Sequence, residues 1–344
     1  LYPAPFSSFI IPQMSDKNLK PAALMIGCAA FLLTQASIGF SQEIPEPEAE
    51  EDHSASAESF KSVDQIAREL GSPVNSLFYF DNDIRFRTYQ GTLPGSKDQT
   101  AWSYTLKASF PFTLDNGKNI ILGASLPFFL DQAMWVIDYD SPVWEPDTDY
   151  RDFRLRQSPY VTPDTGGYVD GYAHDHIDDL RLEAAYGGIS DNGFISMYGL
   201  VTVLPTSQDL SASRDQWLLG PEIVLGKQAD WGNLGVRATH LTRLSGEDRW
   251  DTNETTFDIF FSYGLGNGWQ IISNPQILYD WEADSGNELL LPIGGGVAKT
   301  FLAGNTPLQI SAELQKFVVS SDRLGVDWQF SLRVIPVASD RSRN

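Results

Sequence analysis

Charged side chains at alternating positions are the chemistry this sequence offers. Asp83, Arg85 and Arg87 stand two apart, as do Arg181 and Glu183. Lys107, Asp179, Glu222, Arg237, Arg243, Asp258, Glu313 and Arg333 occupy the polar positions of similar alternating runs. An extended chain sends successive side chains to opposite faces, so these groups share one side of their strands. Both signs are interspersed. Such a wall is either a network of ion pairs filling a narrow interior or a polar, water-filled path. The residue types do not choose between the two.

Catalytic and metal-binding patterns are weak. His174 and His176 flank Asp175, with Asp178 and Asp179 close behind, and could hold a divalent cation. A polar strand end is the stronger account, so no metal and no cofactor is expected. His240 has no local Ser and Asn set for acyl hydrolysis on a barrel wall. Gly294-Gly295-Gly296-Val297-Ala298-Lys299-Thr300 lacks the spacing of a phosphate loop. Small residues there fit strands that bend or pack closely. No enzyme activity is expected.

The elements that must position these charges repeat one design. From Val74 onward the chain holds twelve runs of alternating apolar and polar residues, the first Val74–Gln90 and the last Val326–Val337. In Thr256 to Tyr263 one face is Phe257, Ile259, Phe261 and Tyr263; the other is Thr256, Asp258, Phe260 and Ser262. Long polar connections alternate strictly with tight ones such as Asp115-Asn116-Gly117 and Leu265-Gly266-Asn267. A sandwich has no reason for that alternation. An all-β, transmembrane, up-and-down antiparallel barrel of about 12 strands does, with long loops at one end and tight turns at the other. Tryptophans agree. Trp102, Trp217, Trp281 and Trp328 fall at long-loop strand ends, Trp250 just beyond, and Trp231 and Trp269 beside tight turns. Indole rings concentrate at the two lipid interfaces. The longest connection, Asp131 to Asp175, has ten acids, three Arg and eight aromatics, and is the expected gate or binding loop.

The remaining zones are not barrel. Lys17 and Lys20 precede the apolar run Pro21 to Leu33, and small residues follow up to Ser41. This is the pattern of a secretory signal, too short to span a bilayer as a helix. Residues 1–41 are therefore read as upstream residues and a cleaved signal. Residues 42–73 hold an acidic linker and a short amphipathic helix, with Ser62 and Gln65 spaced as a capping box. The barrel is read over 74–337, and 338–344 as a tail. Cys28, the single cysteine, lies in the signal, so no disulfide framework is expected.

The charge of −21 has an address. Glu43 to Glu58 contributes −7, and Asp131 to Asp179 contributes −9. The remainder is only −5, so the barrel itself is not strongly acidic. A chain this acidic does not hold nucleic acid by phosphate neutralisation. If the outer-mouth charge selects, it favours cations.

Several segments carry a family resemblance. They are Trp217-Leu218-Leu219-Gly220-Pro221, Gly268-Trp269-Gln270 through Ser273-Asn274-Pro275, and Leu291-Pro292-Ile293-Gly294 through Phe301. Asn305 to Ile310, Asp327-Trp328-Gln329-Phe330 and Ala108 to Phe112 continue it. The chain resembles the bacterial outer-membrane transporter proteins often labelled "neuromedin U", related to the outer-membrane family of the phenol meta-cleavage pathway. The likeness covers roughly Leu77 to Val337. It implies an outer-membrane location, the lipid bilayer as surrounding partner, and passive passage of small molecules, aromatic or hydrophobic compounds among them. It supplies no catalytic residues. The expectation is a channel; the alternative is a structural or adhesive barrel with a filled lumen. Oligomeric state has no signature in the sequence.

Overall fold

A computed structural model describes residues 61–137, 167–172, 176–207, 214–247 and 251–338. The signal and acidic linker, most of the long connection, His174, Trp250 and the tail from 339 lie outside the described residues.

A short helix comes first, α1 (Val63–Leu70). Ser62 Oγ accepts from the Gln65 amide at 3.2 Å, and Gln65 Oε1 accepts from the Ser62 amide at 2.8 Å. That reciprocal cap satisfies two donors that no helical carbonyl can reach.

The strands follow as β1 (Tyr79–Gln90), β2 (Thr100–Thr113), β3 (Asn119–Ile137), β4 (Gly167–Tyr172), β5 (His176–Ile177), β6 (Leu180–Ile189), β7 (Phe194–Leu204) and β8 (Gln216–Ala229). The second half holds β9 (Gly232–Gly246), β10 (Asn253–Gly266), β11 (Trp269–Ser273), β12 (Gln276–Asp280), β13 (Leu289–Ala303), β14 (Thr306–Val319) and β15 (Gly325–Pro336). Two of these are halves of one stave. β11 and β12 pair with β10 in a single register, Phe261 opposite Ser273 and Asp258 opposite Gln276. β4 and β5 pair only with β3, extending its loop end. Twelve staves remain, each antiparallel to its neighbours, and β1 pairs with β15 to close the barrel. Closure leaves no sheet edge, which a bilayer requires of any spanning sheet.

Tight turns use residues that accept positive φ. Between β10 and β11, Asn267 and Gly268 sit at φ 53° and 77°, the geometry whose twist matches a two-residue hairpin. At the other end, β3 runs to Ile137 and pairs with β4, so the expected Asp131 loop starts as strand.

The packing is inside out. Along β8, Gln216 is fully buried while its neighbour Trp217 is 44% exposed, and the alternation continues with Leu219, Ile223 and Leu225 outward. Outward positions elsewhere carry Phe80, Phe110, Leu122, Tyr198, Leu200, Ile271, Ile293, Leu314 and Phe330, all exposed. Inward positions carry Glu222, Asn233, Thr239, Ser262, Gln270, Thr300, Gln309, Glu313 and Gln329, all buried. Water would reverse that distribution; lipid outside and a polar lumen inside produce it. Exposed Trp217, Trp281 and Trp328 mark one end of the outer face, and Trp231 and Trp269 the other. The protein is a twelve-stranded transmembrane β-barrel.

The expected first strand began at Val74, yet β1 begins at Tyr79. Val74 instead lies inside the barrel, packed with Ile121, Ala185, Ile195, Met197, Val224 and Phe260. These inward apolar residues come from β3, β6, β7, β8 and β10. They form a stretch of inner wall that an apolar insert can cover favourably.

Candidate functional site

Alternation along each strand decides which charges face the lumen, and cross-strand register decides which meet. Asp81, Asp83, Arg85 and Arg87 share the inward face of β1. Arg333 lies directly opposite Asp83, two residues along the strand from Asp81, and Lys107 lies directly opposite Asp81. Arg333 donates to both carboxylate oxygens of Asp81, from Nε at 3.1 Å and from Nη2. Asp83 accepts from Arg85 at 2.7 and 2.9 Å. Arg87 donates to Gln329 at 2.8 Å.

A second cluster stands on β6, β8 and β9. Arg237 lies 3.3 Å from Glu183 and 3.7 Å from Glu222, and Arg181 lies 3.9 Å from Glu222. Thr239 donates to Glu222 at 3.3 Å.

The two clusters meet across the lumen. In strand order, β1 and β9 are six staves apart in a ring of twelve, hence on opposite walls. Nevertheless one cavity of about 70 Å³ is lined by Tyr79 and Asp81 of β1, Lys107 of β2, Arg181 and Glu183 of β6 and Arg237 of β9. Side chains from opposite walls reach the same small space, so this is a constriction.

Exposure within it is asymmetric. The side chains of Arg85, Arg181, Arg237 and Arg333 keep 23, 30, 21 and 29% of their surface open. Asp81, Asp83 and Glu222 keep 3, 2 and 0%, while Glu183 keeps 18%. Short carboxylates lie against the wall, and longer guanidinium groups stand over them toward the lumen.

Other charges have other settings. Arg243 binds Asp251 at 2.5 Å, near the long-loop rim. Asp258 accepts from Gln276 at 2.8 Å. Glu313 accepts from the Asn274 amide at 2.8 Å and from its side chain at 3.0 Å, and from Gln315 at 2.7 Å. To reach Asn274 it passes over β13, where Gly294 and Gly296 present no side chain. It therefore ties the break between β11 and β12 to the wall. Asp179 accepts from the Ser207 amide at 3.1 Å at the loop end of β6.

Sequence reasoning missed Asp81 and Tyr79, although both share the alternation of Asp83. It also missed Asn274, although the dipeptide Asn274-Pro275 marks a break in the strand.

At the tight-turn end α1 docks on the inner wall. Ile66 and Ala67 are buried there, and the helix packs on β10, β11, β13 and β14. Asn233 donates to the Arg68 carbonyl, and the Gly268 amide to Asp64. A cavity of about 170 Å³ remains between the helix and Trp231, Gly264, Gly266 and Trp269.

No cluster of three or more His, Cys, Asp or Glu fit to hold a metal occurs among the described residues. His176 pairs with Phe129 through the backbone of β5. His240 faces outward, its Nδ1 2.9 Å from Thr255 Oγ1, which also accepts from Trp281 Nε1 at 2.9 Å.

Solved barrels resemble this chain. An outer-membrane channel from Pseudomonas putida F1 aligns over 78% of this chain and 97% of its own, at 10% identity and a TM-score of 0.46. The NanC porin aligns over 75% and 99%, at 12% identity and a TM-score of 0.41. An outer-membrane phospholipase dimer from Salmonella typhi aligns over 81% and 99%, at 10% identity and a TM-score of 0.34. No family model matches the sequence, and no curated protein does. At such similarity, the reading of this barrel rests on its own residues.

Proposed function

We propose that the protein is an outer-membrane channel for passive passage of small molecules, with no catalytic step. The sequence resemblance to the outer-membrane transporter proteins suggests aromatic or hydrophobic compounds among the permeants. The inward-facing charges Asp83, Arg85, Arg87, Lys107, Arg181, Glu183, Glu222, Arg237, Asp258, Glu313 and Arg333 are the proposed lining, with Arg243 at the rim.

One observation carries this reading. The constriction arginines are 21–30% exposed, and Glu183 keeps 18%, although Asp81, Asp83 and Glu222 are sealed. A solid ion-pair core would bury both partners, because a charge desolvated without full pairing is costly. Partly exposed guanidinium groups mean water in the lumen, and a hydrated, charge-lined pore passes polar solutes.

The helix docked at the tight-turn end favours the second reading, a filled barrel. On the channel reading, α1 is a removable stopper, held by hydrogen bonds at its two ends and by two buried apolar side chains. Planar-bilayer conductance and liposome swelling with aromatic acids, sugars and amino acids separate the two. Solute-dependent swelling supports the channel. A folded, heat-modifiable protein that stays silent both with and without residues 61–73 would establish the filled barrel.

A further inference from the structure

We propose that the constriction is a binding site for a small carboxylate, whose anionic head sits among Lys107, Arg181 and Arg237 while the rest of the molecule extends along the lumen. The inference rests on the channel reading and names its permeant class.

Hydrogen-bonding capacity at the site is unbalanced. Arg carries five N–H donors and Lys three, with no acceptor on either. Among the described residues Lys107 makes no hydrogen bond and no ion pair. Among the described residues Arg181 likewise makes no hydrogen bond, and its one ion pair there, with Glu222 at 3.9 Å, is beyond hydrogen-bond reach. Both line the cavity, with the Ser109, Ser125 and Tyr79 residues beside them.

Nearby acceptors are already engaged. Asp81 is held by Arg333, and Glu183 by Arg237 at 3.3 Å. Two carboxylate oxygens have no partner, Asp83 Oδ1 and Glu222 Oε1, yet both are sealed from solvent. They cannot serve Lys107 or Arg181 from the lumen side.

Donors left open beside acceptors that are already engaged or sealed attract an acceptor-rich anion. A carboxylate offers two oxygens with about four lone-pair positions, and its charge-assisted bonds to Arg and Lys are short and strong. A cavity of about 70 Å³ accepts a carboxylate head but not a large sugar acid entire. The site also reverses the preference drawn from the acidic loop. Ion selectivity is set where the pore is narrowest, because there the permeant must exchange water for wall groups.

The test uses the full refolded barrel, sodium benzoate as probe and benzyl alcohol as its uncharged counterpart. Calorimetric titration in detergent is the first readout. Benzoate is expected to bind saturably and benzyl alcohol not, with Lys107→Gln and Arg181→Gln each weakening benzoate at least tenfold while heat-modifiable migration stays unchanged. Absence of saturable benzoate binding, or equal binding of the alcohol, overturns the proposal. So does wild-type affinity in the Lys107→Gln, Arg181→Gln double variant. Reversal potential under a tenfold KCl gradient is the second readout. Chloride preference that falls in the double variant supports the site, and cation preference in the wild type overturns it. Binding without any conductance would sink the channel reading and leave the carboxylate site standing.

Discussion

Asn233 donates from its side-chain amide to the Arg68 carbonyl at 2.6 Å, joining the inner wall of β9 to the last turn of α1. Residues 165 apart in sequence are thereby joined at the tight-turn mouth. Asp64 takes the Gly268 amide at 2.5 Å from the other end of the helix. Removing residues 61–73 is expected to raise single-channel conductance several-fold while folding, read by heat-modifiable migration, persists. Unchanged conductance would show that the helix does not obstruct the path.

Val74 is expected to hold the insert in place. Its side chain is 1% exposed among inward apolar residues of five strands. Val74→Asp buries a carboxylate there without a partner, which costs several kcal/mol. The helix then undocks, so trypsin should cut at Arg68 in the variant and spare it in the wild type.

Glu222 neutralises two arginines. Glu222→Gln should destabilise the barrel by about 2 kcal/mol, less than the ~3–5 kcal/mol of a broken, fully buried pair, because Arg237 keeps Glu183 and lumen water reaches both guanidinium groups. Arg237→Met should cost more, since it takes the partner from Glu183 and leaves the fully sealed Glu222 with only Arg181 at 3.9 Å for a counter-charge. Urea unfolding from vesicles measures both, and the reverse order would refute the assignment.

Ile223 and Val224 are neighbours on β8, half exposed and fully buried respectively. Ile223→Arg places a charge in lipid and should cost about 2–4 kcal/mol if the residue lies near the bilayer midplane. A destabilisation near zero would put that face against water.

Gly296 permits a close approach. A Cβ there would lie 1.9 Å from the Ala312 carbonyl oxygen, whereas at Gly295 the nearest atom would be 3.1 Å away. Gly296→Val should abolish assembly, and Gly295→Ala should leave folded yield within about twofold. Equal yields would contradict the backbone contact.

How much of this was legible follows from what alternation can encode. It separates inward Asp258 and Phe260 from outward Phe257 and Ile259 without knowledge of neighbours, and loop lengths give the up-and-down order. The capping box at Ser62 and Gln65 is equally local. Pairing across the lumen is not local. Nothing near Arg237 in sequence signals that it shares a cavity with Tyr79, since that depends on stave number and tilt. Val74 continues the apolar pattern of a strand, and only the empty space between Ile121, Met197 and Val224 turns it inward. Glu313 reads as one more lining charge until the bare inner surface of β13 lets it reach Asn274.

The chain between Gly71 and Phe78 has one further consequence. Phe78 is held at the β1–β15 seam, where its carbonyl accepts from Ala338 at 2.9 Å. Gly71 lies against Asn233 and Ser262 on the far side, close enough that a Cβ would meet Ser262 Oγ at 2.6 Å. Seven peptide units reach at most about 25 Å, so the segment is a chord strung across the cylinder. A tube cross-braced along one diameter resists flattening in that direction and yields more easily at right angles to it. Ovality of the barrel is thus set by a piece of chain that belongs to none of its staves, and cutting that chord frees the cross-section as well as the mouth.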